Sequence, residues 1–145
     1  MQVEGPGLTI GCQQFPDVVH LLARLLGRFE LLKRDQCRHL GAYVRSGRHR
    51  PSRDQVLAVH VLTHEAMHLS GRLDEAVAEC AAVQRDAHTA RLLGADPAGA
   101  AGLAASYWRE VYPLMPDSYR SEQCQPGRSL DERLADGPWL APPGP

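Results

Sequence analysis

A mainly α fold is predicted for this chain, with at most a small sheet. Three observations lead there. Apolar residues recur at helical spacing in segment after segment, each closed by a stop signal. One stretch, Gln55 to His64, contains no Asp, Glu, Lys or Arg, which marks a helix buried on nearly every side. Only Phe29–Leu32 (FELL) is short and apolar enough to read as a strand, so a helical domain with a small or vestigial sheet, at the edge of α+β, is expected.

In chain order, residues 1–13 read as irregular. Val18, Val19, Leu21, Leu22, Leu25 and Leu26 form a helical stripe over 17–27, and Asp35–Val44 is a second short helix. Arg45–Arg50 is a basic loop. Pro51-Ser52-Arg53-Asp54 opens the central helix with a capping residue, and Ser70-Gly71 ends it. A fresh helix follows from Glu75 to Leu93 and stops at Gly94. Asp96-Pro97 starts another, running to about Tyr112. From Pro113 onward Pro and Gly recur, and the chain is divided into a single domain over 1–115 and a tail over 116–145, packed on it or frayed.

Composition narrows the function classes. The 145 residues carry 16 basic and 17 acidic side chains, an ordinary balance for a globular chain that gives no support to a nucleic-acid binder. Lys33 is the only lysine, so the arginine excess reads as codon bias rather than phosphate recognition. No segment reaches the length of a membrane span, and the N-terminus lacks the pattern of a secretory signal. A cytoplasmic protein with reduced thiols is therefore expected, or a secreted one if the start is misassigned. Cys12, Cys37, Cys80 and Cys124 form no C-x-x-C pair, which argues against a cysteine zinc site.

The chemistry lies in His64-Glu65-Ala66-Met67-His68, an H-E-x-x-H on the buried helix. Residues four apart share a helical face, so both imidazoles reach one zinc ion, and the intervening Glu is placed to act as general base. Among Asp, Glu, Lys and Arg, only Glu65 falls between Asp54 and Arg72. A buried carboxylate costs several kcal/mol, roughly, unless it is partnered, and a metal site supplies the partner.

The third ligand has three candidates in Asp74-Glu75-Ala76-Val77-Ala78-Glu79-Cys80. If the chain reverses at Gly71-Arg72, His68 faces Glu75 and His64 faces Glu79. Glu75 then completes a His-His-Glu set, and Glu79 holds a ligand His through its other ring nitrogen. His64 to Asp74 also fits H-E-x-x-H-x-x-G-x-x-D, with Asp74 as ligand and Met115 in a turn beneath the metal. Asp74–Val83 reads as a helix, which favours Glu75 and leaves Asp74 and Glu79 as alternatives.

HEAMH followed by DEAVAEC resembles the gluzincin branch of zinc-dependent metallopeptidases. The resemblance covers roughly residues 29–131 and is strongest over 56–84. It extends to small actinobacterial zincin-like proteins of unassigned substrate, with Tyr119-Arg120-Ser121-Glu122-Gln123-Cys124 as a matching late element. It implies a minimal zincin-like domain holding Zn²⁺ through His64, His68 and Glu75, with Glu65 as the base, Glu79 in support, and a peptide or protein as substrate. A zinc-binding structural or interaction module that cleaves nothing is the alternative, and a metal-free helical domain the third.

The remaining candidates have plainer readings. His60 is expected to be a satisfied core residue, Thr63 to bond back to its helix, and the Arg45–Arg53 cluster to be a solvated loop. Tyr107, Tyr112 and Tyr119 are equal candidates for an oxyanion donor. Cys80, one residue past Glu79, points off the metal face and serves packing or a disulfide.

Overall fold

The computed structural model describes residues 2–5, 8–12 and 29–139, with side chains from Leu32 onward. The predicted helical stripe at 17–27 lies outside the described residues. Three short strands, β1 (Gln2–Gly5), β2 (Leu8–Cys12) and β3 (Phe29–Leu32), form a sheet in the order β1-β2-β3. β1 and β2 pair antiparallel with Val3 opposite Ile10, and β2 and β3 pair parallel with Thr9 opposite Phe29. Strand β3 falls on its predicted residues. The irregular reading of 1–13 is corrected at residues 2–5 and 8–12, which pair as a short hairpin and add β3 as a parallel partner about 20 residues on.

The body is helical, as predicted. Helix α1 is Arg34–Arg45, α2 Arg53–Leu69, α3 Glu75–Val83, α4 Asp86–Leu92 and α5 Pro97–Ser106. Helix α2 lies at the centre, touching α1, α3, α4, α5 and the sheet. Its start is fixed by a reciprocal cap: the Gln55 N–H donates to Ser52 Oγ, and the Ser52 N–H donates to Gln55 Oε1, each at 3.2 Å. Val56, Ala58, Val59 and Leu62 of α2 are buried against Leu40 and Tyr43 of α1 and Leu103 beyond. At its far end Gly71 takes φ of +104°, a left-handed conformation that an L side chain resists, and the chain turns back into α3. Asp74 caps α3 by accepting from the Val77 N–H at 2.9 Å.

The single helix expected over Glu75–Leu93 is two. At the break the Arg85 N–H bonds to Ala82 O, three residues back, and the Gln84 side-chain amide donates to Cys80 O of the same helix and to Leu130 O while accepting from the Glu132 N–H. That tertiary contact is invisible to periodicity. The last predicted helix likewise changes form. Beyond Ser106 it widens into a π turn over Tyr107–Val111, then tightens to a 3₁₀ turn over Tyr112–Leu114, with Pro113 lacking the N–H that continuation requires.

The segment after Met115 is irregular apart from a 3₁₀ turn at Asp117–Tyr119, and it is strapped to the helices. Cys80 and Cys124 form a disulfide, with 5.6 Å between their Cα atoms. Glu132 receives Arg72 at 2.7 Å and also Arg85, Arg91 pairs with Asp136, and Trp139 meets the edge of Trp108. Cys37 is disulfide-bonded as well. The expectation of reduced thiols is thus corrected: Cys80 and Cys124 lie far apart in sequence, and only the strap brings them together.

Two tests follow from the strap. Replacing both Cys80 and Cys124 with Ala removes a link across 44 residues, and chain-entropy arguments put its contribution at about 4 kcal/mol, to be read as a lowered urea midpoint. Burial raises the Glu132 pKa, but hydrogen bonds from Arg72 and Arg85 outweigh it and hold the carboxyl below its ordinary value. A depressed folded pKa gives stability that is complete above the ordinary Glu pKa and lost as the pH falls through the folded one. Stability should therefore decline from about pH 5 to pH 3, and Glu132→Gln should flatten that slope in pH-dependent urea melts.

Candidate metal centre

His60, His64 and His68 rise along one face of α2, one turn apart. The Gly71 turn returns α3 so that Glu75 and Glu79 meet that face. His64 Nε2 lies 2.9 Å from His68 Nε2 and 3.1 Å from Glu75 Oε2, and His68 Nε2 lies 3.2 Å from the same oxygen. The other ring nitrogens have fixed partners. His64 Nδ1 is 2.8 Å from Glu79 Oε2, and His68 Nδ1 is 2.7 Å from Arg72 O.

Those partners decide where the protons are. A carboxylate and a carbonyl accept, so both Nδ1 atoms carry hydrogens, and each ring in its neutral form presents a lone pair at Nε2. In that form two lone pairs and a carboxylate oxygen converge. Three acceptors at such distances repel unless a cation lies between them. Ligand atoms about 2.0–2.1 Å from a tetrahedral zinc ion are roughly 3.3 Å apart, close to the triangle found here. The donor set fits zinc.

Behind His64 lies a buried polar network. Glu79 Oε2 accepts from His64 and, at 3.0 Å, from His60 Nε2, while the Tyr107 hydroxyl donates to Glu79 Oε1. The other His60 nitrogen, Nδ1, meets Asp86 Oδ2 at 2.8 Å. His60, Glu79, Asp86 and Tyr107 are all at most 2% exposed, and the His60 ring stacks on Tyr107 with centroids 3.5 Å apart. Burial pushes the His60 pKa down, but Asp86 and Glu79 outweigh it and hold the pKa at about 9. Burial likewise raises Glu79, but His60, His64 and Tyr107 bring it down to about 2. Burial raises the Asp86 and Tyr107 pKa values. His64 is pushed down by burial and, net, up by Glu79 and Glu75, so this corner of the protein attracts positive charge.

The site opens into a cleft of about 610 Å³ lined by Glu65, Leu57, Val61, Leu73, Met115 and Tyr119 among others. The Tyr119 ring centroid is 5.8 Å from that of His64, and Glu75, burial, Glu79 and Glu65 all raise the pKa of its hydroxyl.

The structure thus brings His64, Glu65, His68, Glu75 and Glu79 to one cleft. Asp74, the alternative ligand, is exposed and engaged in capping α3. Glu79, the other alternative, is held behind His64 by three donors. His60 belongs to that network, so the expectation of a satisfied core residue describes its burial but understates its charge. Thr63 does bond back to its helix, at Val59 O, and also reaches Thr89. Of the three tyrosines, Tyr107 is bound to Glu79 and Tyr112 accepts from the Ser121 N–H, which leaves Tyr119 in the cleft with its hydroxyl uncommitted to either contact. Sequence reasoning did not find Asp86. Its one signal is an acid within an Ala-rich helical stretch, and its partner is 26 residues away.

No family model, curated protein or solved structure matches the chain.

Removing one member of a buried charged network strands the others. Glu79→Ala should cost about 3–5 kcal/mol in urea unfolding. Glu122→Ala, at an exposed position, should stay within about 0.5 kcal/mol.

Proposed function

We propose that this protein is a zinc-dependent metallopeptidase in which His64, His68 and Glu75 hold the ion and Glu65 is the general base. The observation that carries the reading is the meeting of two imidazole nitrogens and a carboxylate oxygen within 3.2 Å of one another, at the wall of an open cleft. Two imidazoles and one carboxylate are a donor set of open, catalytic zinc sites. His60 and Asp74, which a closed structural site would recruit, are engaged elsewhere, and this favours the enzyme over a non-catalytic zinc module.

When bound, zinc lowers the pKa of water to near neutrality and polarises the substrate carbonyl. Glu65, next to a ligand and lining the cleft, accepts a proton from the attacking water and delivers it to the leaving amine. Tyr119 keeps its hydroxyl proton at neutral pH and donates a hydrogen bond to the oxygen that gains charge as the carbonyl is attacked. Glu79 fixes the His64 tautomer so that Nε2 stays bare. Leu57, Val61, Leu73 and Met115 offer apolar contact to a peptide lying across the cleft. The Cys80–Cys124 disulfide suits an oxidising compartment, so we place the activity outside the reducing cytosol rather than in the cytoplasm.

The purified wild type should contain one equivalent of zinc and cut members of a peptide library. Glu65→Gln should retain the zinc and lose about 10²–10⁴-fold in cleavage rate, while His64→Ala should lose both. Zinc well below one equivalent in the wild type, or full-rate cleavage by Glu65→Gln, overturns the reading.

A further inference from the structure

We propose that His60, anchored by Asp86, is a positioning residue for the metal centre: it pins the Glu79 carboxylate where that group aims His64 and keeps it from becoming a ligand itself. The proposal rests on the zinc reading above and concerns residues that no ligand motif includes.

The contacts run in one line. Asp86 Oδ2 holds His60 Nδ1 at 2.8 Å, His60 Nε2 holds Glu79 Oε2 at 3.0 Å, and the same oxygen holds His64 Nδ1 at 2.8 Å. Both nitrogens of His60 are taken up by buried carboxylates, whereas His64 Nε2 meets a second ring nitrogen, His68 Nε2, and the half-exposed Glu75 at the cleft. His60 is therefore engaged on both sides within the network although it lies one turn from His64. His60, His64 and Glu79 nevertheless form a second group whose donor atoms are close enough to share an ion. What distinguishes the two groups is hydrogen: the N–H bonds of His60 and His64 fill the space between them and Glu79.

Tyr107 and His64 hold the two Glu79 oxygens one each, and His60 adds a second buried donor on the oxygen that serves His64. It thereby sets where that oxygen sits relative to the His64 ring. Packing alone does not call for a histidine. A phenyl ring at residue 60 keeps the stack on Tyr107 and avoids burying charge. The hydrogen bonds are what His60 adds, and both lead towards His64 or away to an anchor.

The test replaces the pair together, as His60→Phe with Asp86→Leu, so that neither buried charge is left alone. Zinc affinity is measured by chelator competition, ligand geometry by the visible spectrum of the cobalt(II)-substituted protein, and stability by urea unfolding. Positioning predicts a zinc Kd weakened about 10–100-fold and an altered cobalt spectrum, whereas the urea midpoint reports the separate cost of leaving Glu79 one donor short. If the double variant does not fold, Asp86→Asn, which retains His60 and the shape of its anchor, should weaken zinc about 3–10-fold. A zinc Kd within twofold of wild type, with an unchanged cobalt spectrum, overturns the role of His60 whatever happens to the midpoint. A wild-type protein that takes up no zinc overturns the metal reading instead.

Discussion

Glu79 is the one side chain on which four separate segments of the chain close. Its carboxylate, 1% exposed, accepts from His60 and His64 on α2 and from Tyr107 beyond α5, and through His60 it reaches Asp86 on α4. An anion taken this far from water is tolerable only with its lone pairs filled. The contacts that meet that requirement tie α3 to α2, reach Asp86 at the first residue of α4, and take their hydroxyl from Tyr107, where the π turn begins. The orientation of His64 is a consequence of the same requirement. The buried polar network and the candidate metal centre are one construction, joined at a single imidazole.

Much of this was legible in the sequence, and for a physical reason. The H-E-x-x-H spacing, the Gly71 stop, the Asp74 cap and the Glu75–Glu79 interval are all local. Each fixes geometry within one or two helical turns, and together they specify a helical hairpin. Strand β3 and the limits of α2 were legible in the same way. Pairing between distant segments was not. Asp86 carries no mark of its partner, the parallel pairing of β2 with β3 joins segments about 20 residues apart, and the Cys80–Cys124 bridge depends on a strap with little regular structure. The break in the helix expected over Glu75–Leu93 lies where the Gln84 side chain bonds to the strap, another contact between distant segments.

The strap also gives the cleft a wall. Met115 and Tyr119 belong to the irregular segment, whereas Leu57, Val61, Glu65 and the two ligand histidines belong to α2. A rigid helix on one side therefore faces a wall whose placement depends on a disulfide and on pairs to Glu132 and Asp136. The proposed chemistry divides accordingly. The proposed base and two of the three proposed metal donors come from α2, Glu75 comes from α3, and the proposed oxyanion donor comes from the strapped segment.

The Gly71 turn has a consequence for portability. The three proposed donors to the ion all lie between His64 and Glu75, so a hairpin alone contains every atom that would touch the metal. What that hairpin cannot contain is its own calibration. Asp86 and Tyr107 come from later in the chain and reach His64 only through His60 and Glu79. Grafted onto another scaffold, residues 64–79 would bring the alphabet of the site without its grammar. On the proposed reading, binding strength belongs to the whole helical body, although the proposed ligands occupy one short stretch of it.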